Sequence, residues 1–198
     1  MPARYAILAW GSLIWDLDDL APHVEGTWRM AAGPMLPLEF SRISPKRRGA
    51  LVLCLDPAHG DLCRTNVIAS ERKSPARAMA DLAARERAPL HHVGVVCLRT
   101  GLARGAHGEV VARVAEWCRQ SGWDGAVWTD LPSNFHAYYG APFSLDRAKA
   151  HLRRLEGASL AEAVRYVEEA PPATDTPLRR ALRADRWWRE LRARHGYG

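Results

Sequence analysis

A strand-like run, Ile7-Leu8-Ala9-Trp10, breaks into Gly11-Ser12 and resumes with the bulky Leu13-Ile14-Trp15. Glycine admits backbone conformations closed to other residues, and the amides after such a turn can converge on an anion or a carboxylate. The dipeptide is equally common as plain strand-ending punctuation, so the pair alone leaves both readings open. Ser12 lacks a Gly-x-Ser-x-Gly elbow and an evident His and Asp partner order, which makes it a binding hydroxyl rather than a hydrolase nucleophile. Two glutamates need weighing as acid-base groups: Glu71 near a strand end, and Glu86 within Asp81-Leu82-Ala83-Ala84-Arg85-Glu86-Arg87. Each has a plainer role as well, Glu71 as a solvated strand end and Glu86 as a helix residue paired with a nearby arginine. His91-His92 has no third ligand at sensible spacing, so no metal site is expected. Asn134, His136, Tyr138 and Tyr139 follow Trp128 in a loop and either line a pocket or decorate a connection.

The elements that must position these residues are legible from apolar periodicity. Alternating or continuous apolar stretches predict strands at Tyr5-Trp10, Thr27-Ala31, Leu38-Ile43, Ala50-Leu55, Arg64-Ala69, Val93-Arg99 and Ala126-Thr129. Pro22, Gly26, Gly33-Pro34, Pro37 and Gly49 punctuate them at short intervals, as a curling meander requires. Ser74-Pro75 starts a helix through Glu86, and a second helix spans His107-Gln120 with Val110, Val114 and Trp117 inward. Beyond Pro142 the wording turns helical: Ser144-Leu-Asp-Arg, Ser159-Leu-Ala-Glu and Thr176-Pro177 each open a helix. Ala170-Pro171-Pro172-Ala173-Thr174 reads as a linker, and Trp187-Trp188 require burial against the body. The expected class is α+β: a small mixed β-barrel with surrounding helices over residues 1–142, and a helical C-terminal extension over residues 143–198 packed on it.

Composition narrows the function classes. The 198 residues, 47% hydrophobic, suit one globular domain with a helical appendix. No apolar run approaches the roughly 20 residues that span a bilayer, and no leader precedes the first strand, so a cytoplasmic protein without a membrane partner is expected. Cys54, Cys63, Cys97 and Cys118 have no CxxC spacing and read as buried thiols; Cys54 and Cys63 would face each other if Leu51-Asp56 and Asp61-Ile68 formed a hairpin. The net charge of +6 raises nucleic acid as a partner, but the arginines spread through helical segments alongside Glu and Asp, so none is expected. Lys46-Arg47-Arg48 is either a solvated turn or a positive rim for an acidic peptide.

Gly11-Ser12-Leu13-Ile14-Trp15 resembles the N-terminal signature of the gamma-glutamylcyclotransferase-like superfamily, most closely its ChaC-type, glutathione-degrading branch, usually worded Tyr-Gly-Ser-Leu-Ile-Trp. Trp10 stands where that family has Tyr or Phe, which removes a phenolic hydroxyl but leaves a ring for one wall. Leu82-Ala83-Ala84-Arg85-Glu86 resembles the family's Leu-Asp-x-Arg-Glu segment, with Ala83 in place of Asp. The resemblance spans residues 5–100 and implies a mixed barrel, no cofactor, and a small-molecule gamma-glutamyl substrate. It further implies that Trp10, Gly11, Ser12 and Leu13 bind the gamma-glutamyl end, that Glu86 moves the protons, and that a late tyrosine, Tyr138 or Tyr139, lines the site. The implied reaction needs few side chains. The substrate's alpha-amine attacks its own gamma-carbonyl and closes a five-membered ring, so proximity is built in. The protein adds a base for the ammonium proton, an acid for the leaving amine and donors for the oxyanion, and one carboxylate serves both proton steps. Products are 5-oxoproline and a free amine or peptide, with glutathione among the candidate substrates. The alternative from another class is a non-catalytic protein that keeps the same pocket to bind a small molecule or peptide. The oligomeric state is open.

Overall fold

The structure, a computed structural model, describes residues 3–198. The chain divides into two compact units, Met1–Leu36 with Arg64–Leu131, and Pro37–Cys63 with Pro132–Gly198. Neither follows the expected boundary at residue 142, because the strands between residues 37 and 63 supply the apolar surface on which the late helices pack.

The first unit is built on a six-stranded mixed sheet in the order β2-β6-β1-β9-β7-β8. Its strands are β1 (Tyr5–Ala9), β2 (Val24–Arg29), β6 (Asn66–Ser70), β7 (Val93–Cys97), β8 (Leu102–Arg104) and β9 (Gly125–Thr129). All five residues of β1 are buried, as a central strand covered on both faces demands. It runs antiparallel to β6, with Leu8 opposite Val67, and parallel to β9, with Leu8 opposite Trp128. Gly94 of β7 lies across from Trp128, and a Cβ there would meet the indole at 2.0 Å, so only glycine lets this ring lie over the strand.

The sheet does not close into the expected barrel. β8 is three exposed residues, and β2 is largely exposed and shifts register between Glu25 and Arg29; such short or irregular edges terminate pairing. The strand expected at Thr27-Ala31 therefore lies at an edge, starting earlier at Val24.

Helix α1 (Pro75–Glu86) crosses this sheet against β1, β7 and β9. Pro75 occupies the first turn, where its fixed φ and missing donor are harmless, whereas Ser74 makes no side-chain capping bond. Ala78, Met79, Leu82 and Ala83 recur at helical spacing and join Ile7, Ala9, Leu13, Val93 and Val127 in one core. Each buried leucine or methionine there contributes about 1.5–3 kcal/mol relative to exposure. Helix α2 (Gly108–Ser121) packs on β7 and β9 through Val110, Val114 and Cys118.

In the second unit β3 (Met35–Ser44) lies between β4 (Ala50–Leu55) and β5 (Asp61–Arg64). β4 and β5 are thus not hairpin partners, and Cys54 and Cys63 are buried free thiols. Five helices follow: α3 (Phe135–Tyr139), α4 (Leu145–Arg154), α5 (Gly157–Glu169), α6 (Pro177–Ala184) and α7 (Arg186–Arg194). Ser144, Thr176 and Asp185 cap α4, α6 and α7 with their side chains. α4 and α5 pack on β4, which is buried along its whole length. The stretch expected as a linker is pinned instead: the buried Arg179 guanidinium donates to the carbonyls of Glu168, Ala170, Pro171 and Thr174. Trp188 is fully buried with its indole donating to Glu168, and Trp187 lies against the Arg153 guanidinium. Among the described residues no helix is long and apolar enough to cross a membrane.

Candidate functional site

β1 delivers its C-terminal end to the turn the sequence singled out. Asn66 of β6 is buried and donates through its side chain to the Ala9 carbonyl at 3.1 Å, while its own side-chain oxygen accepts from the Ala31 amide at 2.9 Å. Trp10 is buried beyond it. Gly11 is buried with φ −136°, outside the left-handed region, so this turn does not draw on positive φ. Ser12–Ile14 form one turn of 3-10 helix, closed by the Ile14 amide on the Gly11 carbonyl at 3.0 Å and the Asp16 amide on the Ser12 carbonyl at 2.9 Å. The Ser12 and Leu13 amides precede the first bonded one and have no acceptor within the helical turn, the usual state of a helix start. Leu13 anchors the turn by burying in the core beside Ala83, and Ser12 stays partly accessible.

Glu86 is the last residue of α1 and its side chain is 14% exposed. The negative end of the helix dipole opposes a carboxylate at this position, and the opposing cation is its neighbour. Arg85, 2% exposed, donates from one terminal nitrogen to Glu86 Oε1 at 2.7 Å. The other terminal nitrogen donates to the Asp16 backbone carbonyl and lies 3.9 Å from the Asp16 carboxylate. One guanidinium therefore spans from the carboxylate to the segment that follows the Gly-Ser turn. Next in sequence, Arg87 ends the helix in a left-handed conformation, φ 52°, its amide reaching the Ala83 and Ala84 carbonyls. Its side chain lies 3.8 Å from Asp18, itself at φ 49°. Two of the four non-glycine residues with positive φ among the described residues thus flank the turn and the carboxylate, and such conformations persist where surrounding structure fixes them.

Within the first unit Leu13 shares a core with Ala83 of α1, and Glu86 is linked through Arg85 to the Asp16 carbonyl that follows the turn. Tyr138 belongs to the second unit, on α3, and is 53% exposed. Its neighbour Tyr139 is engaged with His151: the phenol and Nδ1 are 2.6 Å apart, and Nε2 lies 2.7 Å from the Gly49 carbonyl. Because that carbonyl only accepts, Nε2 carries the proton and the Tyr139 hydroxyl donates to Nδ1 of the neutral ring. Burial holds the His151 pKa below its usual value, which favours that form. Glu71 is exposed at the end of β6, a solvated strand end. His91 and His92 stack edge to face at 4.3 Å. Among the described residues no three side chains gather as a metal-binding set.

Sequence reasoning missed Asn66, Asp16 and the role of Arg85. Arg85 was visible only as part of a motif; its burial beside Glu86 follows from the α1 face, which no local pattern reveals. It also missed Glu39 of β3, which is fully buried in the second unit. Glu39 accepts from the Phe40 amide at 2.7 Å and the Leu178 amide at 3.0 Å, and bonds the Thr176 side chain. Burial nevertheless outweighs these donors and pushes its pKa up to about 7.

No family model, curated protein or solved structure matches the chain.

Proposed function

We propose that the first unit is a gamma-glutamylcyclotransferase-like enzyme with the corresponding fold, acting in the cytosol without a cofactor. The observation that carries this reading is the Arg85 guanidinium, which holds Glu86 and the backbone after the Gly11-Ser12 turn on one group. The reaction demands that pairing: a carboxylate for protons beside amides for an oxygen. In the proposed cycle the Ser12 and Leu13 amides face the substrate's carboxylate or carbonyl oxygen, and Glu86 takes a proton from the alpha-ammonium. The freed amine attacks the gamma-carbonyl carbon, the ring closes and its nitrogen sheds its second surplus proton to solvent, and Glu86 returns the proton it holds to the departing amine as the amide bond breaks. Product analysis by mass spectrometry tests this, using wild type and Glu86→Gln with a panel of gamma-glutamyl compounds that includes glutathione. 5-Oxoproline from wild type alone is the expected result. No product from any panel member would sink the proposal.

A further inference from the structure

We infer that Arg85 is the positioning residue of this site: it locks the Ser12–Asp16 turn to the end of α1, so that the turn's amides and the Glu86 carboxylate move as one body. The inference rests on the reading of Glu86 as the proton carrier, but its geometric half stands on contacts alone.

Adjacent residues on a helix diverge by about 100°, so Arg85 and Glu86 do not share a face. Their pairing is possible because Arg85 starts from the buried side of α1 and its long stem carries the guanidinium to Glu86 Oε1 at 2.7 Å. Burying a cation to 2% exposure costs several kcal/mol unless its donors are well used. Here the terminal nitrogens are divided between two elements, one on the carboxylate of α1 and one on the Asp16 carbonyl. The acceptor in the turn is a main-chain oxygen, so it holds the backbone path of residues 12–16 and not merely a side chain. The Asp16 amide in turn closes on the Ser12 carbonyl, which carries the restraint back to the two amides offered to the substrate. A lysine ammonium is a single point of charge on a flexible stem and does not reproduce a planar fork spanning both acceptors. Arg87 offers the internal comparison: it is 70% exposed and meets Asp18 at 3.8 Å, a contact of the kind that contributes little.

The first experiment does not depend on turnover. Hydrogen exchange of the Ile14, Trp15 and Asp16 amides is measured in wild type, Arg85→Met and Arg87→Ala. Loss of a charge-assisted bond predicts exchange faster by about tenfold or more in Arg85→Met and unchanged in Arg87→Ala. Unchanged exchange in Arg85→Met would overturn the lock. If that variant does not fold, Arg85→Lys serves in its place with the same criterion. The second experiment uses the gamma-glutamyl substrate that wild type turns over. Arg85→Lys is expected to lower kcat about a hundredfold while KM stays within about threefold. Guanidinium ion added to Arg85→Ala is expected to restore part of kcat, which a merely structural defect would not allow. Wild-type kcat in Arg85→Lys would overturn the positioning role while leaving the cyclotransferase reading intact. Fast exchange in Arg85→Met with no 5-oxoproline from wild type would do the reverse, keeping the lock and removing the reaction.

Discussion

The two units each hold a glutamate at a helix terminus, and they hold it by opposite means. Glu39 lies fully buried at the N-terminus of α6, where backbone amides and a threonine hydroxyl meet it and the dipole favours negative charge. Glu86 lies at the C-terminus of α1, partly open, and is met by a buried cation. A carboxylate fixed by main-chain donors from two elements is a structural joint, since losing it unties β3 from α6. Glu86 keeps part of its surface open and meets Arg85 through one oxygen, the arrangement that the proposed proton transfers would use.

The sharpest way to break this contrast is to neutralise each glutamate in turn. Glu86→Gln should lower turnover by about a thousandfold, seen as lost 5-oxoproline, and should also lower the melting temperature, because the buried Arg85 cation loses its carboxylate. Glu39→Gln should leave turnover in place and change the pH dependence of stability instead. Because the folded pKa of Glu39, about 7, is raised above its ordinary 4.5, folding favours the protonated form. Its stabilisation is complete below pH about 4.5 and is lost as pH rises to about 7, a change of about 3 kcal/mol, so denaturant titrations of Glu39→Gln across that range should lack this fall. A smaller effect sharpens the same comparison. Thr176→Ala removes both the α6 cap and a partner of Glu39 and should cost about 1–2 kcal/mol in urea unfolding. Smallest of all, Arg87→Ala should shift stability by less than about 0.5 kcal/mol, because its ion pair is exposed.

What was legible in the sequence follows the same division between local and distant causes. Ser74-Pro75 announces α1, Ser144 and Thr176 announce their helices, and the Gly-Ser break marks the end of β1, because each signal lies within a turn or two of its effect. Glu39 was hidden in an alternating run where it reads as the solvent face opposite Leu38 and Phe40. The group that covers it, the Leu178 amide, lies 139 residues away. The same holds for pairing: β4 and β5 are neighbours in sequence, but β3 comes between them, and no residue in the connecting Pro57-Gly60 announces this. At the candidate site the turn and the carboxylate were singled out by the resemblance of their motifs, whereas the arginine that connects Glu86 to the Asp16 carbonyl depended on which face of α1 is buried.

The parallel pairing of β1 with β9, which places Tyr5 opposite Gly125, has a consequence for the order in which the molecule comes into being. On a ribosome the second strand to be laid beside β1 on that side is the last of its sheet to be synthesised. The Ser12 turn therefore waits through more than a hundred residues of elongation for its neighbouring strand. At about 5–20 residues per second that is a delay of seconds, during which a strand that ends up fully buried stays uncovered on one edge and open to chaperones.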